Sequence, residues 1–219
     1  MPFRPQADLL CLLFVPMILW GAFGCDSVGE ADDGACSRAP LSCNDVPEGQ
    51  RCPATCETPM WTPGECKEGV AQRQELLGQM HISLPEPLSY EENPPASGSH
   101  RPMWACWGEY AYLPPTRWLH NLEHGGIAIL YNPCVGTDVV DALRTLAKSI
   151  EPDDAGAFRW ILTPYPDLPS AISIVSWRWV YSSACFREDE MREFIRQHYR
   201  NGPEDIRRSG DFSEGYLGR

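Results

Sequence analysis

His120-Asn121-Leu122-Glu123-His124-Gly125-Gly126 runs directly into Ile127-Ala128-Ile129-Leu130-Tyr131. The junction divides the chain: the sequence before it is crowded with proline, aromatic and histidine residues, and the sequence after it is regular. Ile127 to Tyr131 is a compact apolar run with the length and composition of a buried strand. Thr137 suits the N-cap of a helix through Ile150, in which Val140, Leu143, Leu146 and Ile150 recur at helical spacing. Phe158 to Thr163 reads as a second strand, ended by a turn rich in proline (Pro164, Pro166, Pro169). Ala171 to Tyr181 reads as a third strand. Arg187 to Tyr199 reads as a second helix, with Met191, Phe194, Ile195 and His198 on one face and Asn201-Gly202-Pro203 as its stop. The order β-α-β-β-α predicts one two-layer α+β domain, its helices covering one face of a small sheet.

Upstream of the junction, Leu84 to Pro115 holds Trp104, Trp107, Tyr110 and Tyr112 among many prolines. Proline removes backbone donors, so this stretch is expected to be irregular and held down by its aromatic side chains. Glu65 to Met80 predicts a short helix, with Val70, Leu76, Leu77 and Met80 apolar. Eight cysteines follow residue 25: Cys36, Cys43, Cys52, Cys56, Cys66, Cys106, Cys134 and Cys185. An even set behind an export signal reads as a disulfide framework. Five precede residue 70 and three follow it, so full oxidation requires at least one bridge from the N-terminal segment into the main domain. Cys52-Pro53-Ala54-Thr55-Cys56 has the spacing of copper-carrying thiols, but no strand precedes it and a structural disulfide role fits better.

Leu9 to Phe23 is apolar and uncharged, too short to span a bilayer and suited to the core of a secretory signal. It ends at Ala22-Phe23-Gly24-Cys25, which resembles the lipobox of bacterial lipoproteins and implies lipidation of Cys25. Phe23 departs from the small residue usual there, and an ordinary cleavable signal is the alternative. The expected organisation is a signal peptide over 1–24, a lipid-anchored tether over 25–51 and a cysteine-rich segment over 52–80. The α+β domain then spans 81–205, with a frayed polar tail over 206–219. A formal charge of −12 lacks the basic footprint that nucleic acid or anionic lipid would require. Membrane contact is therefore expected through the lipid alone, with an envelope protein as the possible partner and no prediction of oligomeric state.

Four of the five histidines lie before the first regular strand: His81, His100, His120 and His124. His100 closes the turn-prone loop Asn93-Pro94-Pro95-Ala96-Ser97-Gly98-Ser99, which can hold an imidazole at small entropic cost. The loop, the HNLEHGG run and the closing Gly202-Pro203-Glu204 together resemble a bacterial exported domain-of-unknown-function family, over roughly His81 to Asp205. That resemblance marks His81, His100, His120, Glu123 and His124 as matching the family pattern and implies no assigned activity.

Three readings of this constellation compete. In the first it binds copper or zinc through His100, His120 and His124, with His81 and Met103 as further candidates and Glu123 in support. In the second, His120-x-x-Glu123-His124 is an inverted zinc-hydrolase motif, which needs a continuous helix and a downstream acid such as Glu190 or Glu193. Gly125-Gly126 argues against it, since it ends any helix at once and a strand follows; an extended run would turn Glu123 away from both imidazoles. In the third the residues are structural and satisfy backbone groups around proline-rich loops, within an envelope interaction module. His198 is expected to serve the core or the end of its helix, and Trp104, Trp107 and Trp118 to pack around the loop.

Overall fold

A computed structural model describes residues 36–47, 50–52, 55–56, 65–166 and 168–219. The expected signal segment and Cys25 lie outside the described residues. In chain order the elements are β1 (Val70–Arg73), β2 (Gly108–Tyr110), α1 (Pro115–Glu123), β3 (Ile127–Tyr131), α2 (Thr137–Lys148), β4 (Trp160–Pro164), β5 (Ile172–Ser176), β6 (Trp179–Ser183), α3 (Glu188–His198) and β7 (Tyr216–Gly218). The strands form one mixed sheet in the order β1-β6-β5-β3-β4-β2-β7, with β3 and β2 parallel to β4 and the other pairs antiparallel. The chain is thus a single α+β domain, as the residue pattern predicts.

β3 sits at the middle of the sheet, and its alternation sorts the two cores. Ile127 and Ile129 face Leu143 and Leu146 of α2 and Met191, Phe194 and Ile195 of α3. Ala128 and Leu130 face Trp118, Leu119 and Leu122 of α1, together with Trp107, Tyr110 and Leu113. Both faces of the central strand are covered, which is why it reads as an unbroken apolar run. The helices are not all on one face: α2 and α3 share one side, while α1 and the aromatic loops close the other.

Several expected boundaries shift for identifiable reasons. α2 begins at Thr137 itself, with Gly136 as its N-cap. The run from Ala171 to Tyr181 is a hairpin, since Trp177 and Arg178 turn the chain and Arg178 adopts φ 66°. Glu65 to Met80 contains the edge strand β1, not a helix; its apolar residues Val70, Leu76, Leu77 and Met80 stay exposed because no second layer covers them. The segment expected to be irregular contains β2 and ends at the start of α1. The tail is folded as well: Phe212 and Tyr216 are buried in the α1-side core, and β7 pairs with β2.

Four disulfides join Cys36–Cys106, Cys43–Cys52, Cys56–Cys134 and Cys66–Cys185. Three of them cross from the N-terminal segment into the domain, and Cys52 and Cys56 belong to different bridges. Such a framework suggests a protein that folds outside the cytoplasm. Residues 36–47 fall within the span that composition assigns to a tether, yet they are fastened by the first bridge and by a buried carboxylate. Asp45 accepts from Arg101 at 2.6 Å and pairs with Arg117, all three side chains being under 10% exposed. Among the described residues, no helix is long and apolar enough to cross a membrane.

Candidate metal centre

α1 is short and every one of its residues is buried. Pro114 caps it and Pro115 occupies its first position, where a missing N–H costs nothing because helix-start donors lack intrahelical partners anyway. Nine residues later the helix stops. His124 is its C-cap and Gly125 takes φ 80°, the left-handed conformation that favours glycine after a helix. The HNLEHGG run is therefore helical through Glu123. His120, Glu123 and His124 project from the last turn, and the chain then enters β3.

Two loops bring the other groups. The Pro94–Gly98 segment is buried and pinned to residues 74–78. Gln74 binds it by its side chain to the Pro94 carbonyl and the Ala96 amide, Ser97 bonds the Glu75 carbonyl and the Leu77 amide, and the Gly98 amide donates to Gly78. A backbone bridge sets His81 beside His100. The third contribution arrives from the far end of the chain, where the Glu204 amide donates to the Glu123 carbonyl at 3.0 Å. A Cβ at Gly202 would collide with the carbonyl oxygens of Leu122 and Glu123, so only glycine lets this loop close on the end of α1.

One ring nitrogen and one carboxylate oxygen converge from His81, His100, His120 and Glu123, all within 4.8 Å of one another. Glu123 Oε2 is at the centre, 3.0 Å from His100 Nε2, 3.4 Å from His81 Nε2 and 4.0 Å from His120 Nε2. His124 Nε2 lies next along, 3.2 Å from His120 Nε2 and 3.2 Å from Glu204 Oε2. The Trp104 ring packs against both imidazoles of α1, at centroid distances of 4.9 and 4.5 Å. His100, His120, His124 and Glu123 are buried, whereas the His81 side chain is 48% exposed and opens the cluster to solvent.

The hydrogen bonds decide the tautomers. His100 Nδ1 is 2.8 Å from the Gly98 carbonyl and His120 Nδ1 is 2.8 Å from the Arg101 carbonyl. A carbonyl only accepts, so each Nδ1 carries a proton and each Nε2 is turned into the cluster, where that of His100 hydrogen-bonds Glu123 Oε2. Burial first, with neighbouring imidazoles adding to it, brings the His120 imidazole down to about 4 and His124 to about 3, so both rings are neutral at pH 7. Burial alone would raise the Glu123 carboxyl, but the hydrogen bond and charge of His100, with His120 and His81, outweigh it and hold the group below its ordinary value. Neutral imidazoles and an ionised carboxylate are the forms in which these groups bind a cation. This is a His/Glu group that could hold a metal ion.

The remaining candidates are elsewhere. Met103 is 49% exposed at the surface. Glu190 binds the Gly69 amide, the Tyr181 hydroxyl and Arg187, while Glu193 binds Arg196 and Gln197, so neither supplies the downstream acid of a hydrolase motif. His198 stacks on Trp179 and Phe194, and burial lowers its pKa, in keeping with a packing role. Trp107 and Trp118 are buried in the core, as expected. Glu204 was not singled out by ligand chemistry from the residue pattern; its only signal was its place in the Gly-Pro-Glu run.

No curated protein and no solved structure matches the chain. A family model does match, over residues 81–210, which is well over half of the chain and includes every residue of the cluster. The chain therefore belongs to the family described as Protein of unknown function (DUF3105).

Proposed function

We propose that this protein is an exported, lipid-anchored envelope protein that binds zinc or copper(II) through His81, His100, His120 and Glu123. One observation carries the reading: ligand atoms of His81, His100, His120 and Glu123 lie within 4.8 Å of one another, and the Nδ1 atoms of His100 and His120 are committed to backbone carbonyls so that each turns its Nε2 to the cluster. Donors of a tetrahedral ion with bonds of about 2.0–2.1 Å stand roughly 3.3 Å apart. Two of the three edges at Glu123 Oε2 are 3.0 and 3.4 Å, and no separation in the group passes 4.8 Å, which exceeds the ideal by only about 1.5 Å.

The donor chemistry narrows the metal. All eight described cysteines are in bridges and Met103 is at the surface, so the cluster lacks the soft sulfur that selects copper(I). Export is supported by the four bridges. Attachment at Cys25 and an envelope protein as partner remain part of the proposal, resting on the lipobox resemblance and on the acidic charge.

The test is metal content of protein recovered from an oxidising compartment without a histidine tag, compared with His81→Ala and His120→Ala. At least one zinc or copper per chain is expected in the native protein, with affinity at least about tenfold weaker in His81→Ala and binding lost in His120→Ala. His81 is exposed, so its variant reports on binding without a packing defect. A folded native protein that takes up neither metal after addition would leave the cluster as scaffolding for an interaction module.

A further inference from the structure

We infer that the cluster accommodates two divalent ions side by side, one on His81, His100 and Glu123 and a second on His120, His124 and Glu204. The inference rests on the metal-binding reading above and extends it to residues that a single ion leaves unused. Six donors are strung out in a row: His81 and His100 at one end, Glu123 Oε2 between them and His120, then His124, then Glu204. His124 and Glu204 lie outside the set of mutually close ligand atoms. One coordination sphere, with donors roughly 3.3 Å apart, cannot reach all six.

Proton counting at the distal end points the same way. His120 Nε2 holds a lone pair because its Nδ1 proton goes to Arg101. His124 Nε2 is 3.2 Å from that nitrogen and 3.2 Å from the Glu204 carboxylate. If the His124 proton is on Nε2, one hydrogen faces two acceptors and the buried Nδ1 lone pair has no partner. If it is on Nδ1, three lone pairs face one another and a buried N–H has no acceptor. Either way no protein donor satisfies both His120 Nε2 and the Glu204 carboxylate; a divalent cation meets these two and His124 Nε2 together, with the His124 proton on Nδ1. Both 3.2 Å separations are close to a tetrahedral edge.

The backbone is built to keep Glu204 in place. Its amide is bonded to the Glu123 carbonyl, and the adjacent Asp205 pairs with Arg159 and Arg200. The Glu204 side chain itself is 51% exposed, free to adjust around an ion and reachable by solvent. A single ion recruits His120 to the His81 side; a second draws it to His124, since one imidazole nitrogen binds one ion. Two imidazoles and one carboxylate per ion leave coordination positions for water on each.

The experiment is native mass spectrometry of the full oxidised chain titrated with zinc, run beside Glu204→Ala and His124→Gln. Two zinc ions are expected in the native protein and one in each variant. Glu204→Ala removes only an exposed side chain, so its fold is retained even if His124→Gln is unstable. A native protein that saturates at one zinc overturns the second position and leaves the first reading standing. Two zinc ions retained in Glu204→Ala overturns it as well, because the second ion is then held elsewhere. No zinc in any of the three removes both readings together.

Discussion

Asp45→Asn should cost this protein a large share of its stability. Asp45 comes from the N-terminal segment, and its carboxylate lies between Arg101 and Arg117, with all three side chains at 5–8% exposure. Burial already pushes the Arg117 guanidinium below its ordinary value, and Asp45 is the first group opposing that. Asparagine has nearly the same volume, so no cavity opens and the loss is electrostatic. It leaves two guanidiniums in a buried site with a neutral amide whose N–H₂ faces other donors. Removing one partner of a buried pair typically costs about 3–5 kcal/mol, and the two pairs share one carboxylate, so the costs are not summed. At about 2–4 °C per kcal/mol for a chain of this size, Tm should fall by roughly 6–20 °C. The assay is thermal and urea denaturation of the oxidised protein, with Asp141→Asn as the control. Asp141 pairs with Arg144 at 70% side-chain exposure and should change stability by less than about 0.5 kcal/mol. If Asp45→Asn matched that control, the buried-pair reasoning would be refuted.

Three further outcomes follow from the same geometry. His120 and His124 titrate near 4 and 3 in the fold but near 6.5 when unfolded, so the unfolded chain binds more protons between those values. Stability of the metal-free protein should be full above about pH 6.5 and decline as pH falls toward about 4; a flat urea midpoint over that window would show the rings protonating in place. Replacing Cys66 and Cys185 together by serine opens a link of sequence separation 119 and should cost about 2–4 kcal/mol, measured as a lower urea midpoint with a steeper slope, since the unlinked unfolded chain exposes more surface. Gly125→Ala forces a side chain into φ 80° against the Arg200 backbone and should lose at least about 1 kcal/mol by the same measurement; an unchanged midpoint would refute the strain argument.

What the residue pattern revealed and what it hid have physical causes. Ile127–Tyr131 was legible because both its faces are buried, and α2 and α3 because each carries one apolar stripe. α1 was hidden by its two opening prolines, which read as irregular chain although a helix start tolerates them. The β5–β6 hairpin was hidden because Trp177-Arg178 is not a glycine or asparagine turn. At the site, the two histidines and the glutamate of one helical turn announced themselves by proximity in sequence. That His81 and Glu204 adjoin them depends on a backbone bridge and on the close approach of Gly202, contacts between segments far apart in the chain. Met103 looked like a ligand because it follows His100 by three residues, yet the chain turns it to the surface.

The three crossing bridges also set an order of events during biosynthesis. Cys36, Cys43, Cys52, Cys56 and Cys66 all leave the ribosome before Cys106, the first of their distal partners. Of the bonds among the described residues, only Cys43–Cys52 can close within that leading segment. The other three thiols must stay unpaired, or pair wrongly and be reshuffled, until 70 to 119 further residues have followed. The eight described cysteines admit 105 pairings, so correct pairing is expected to draw on disulfide isomerisation as well as oxidation. The yield of folded protein should therefore track the isomerase supply of its compartment.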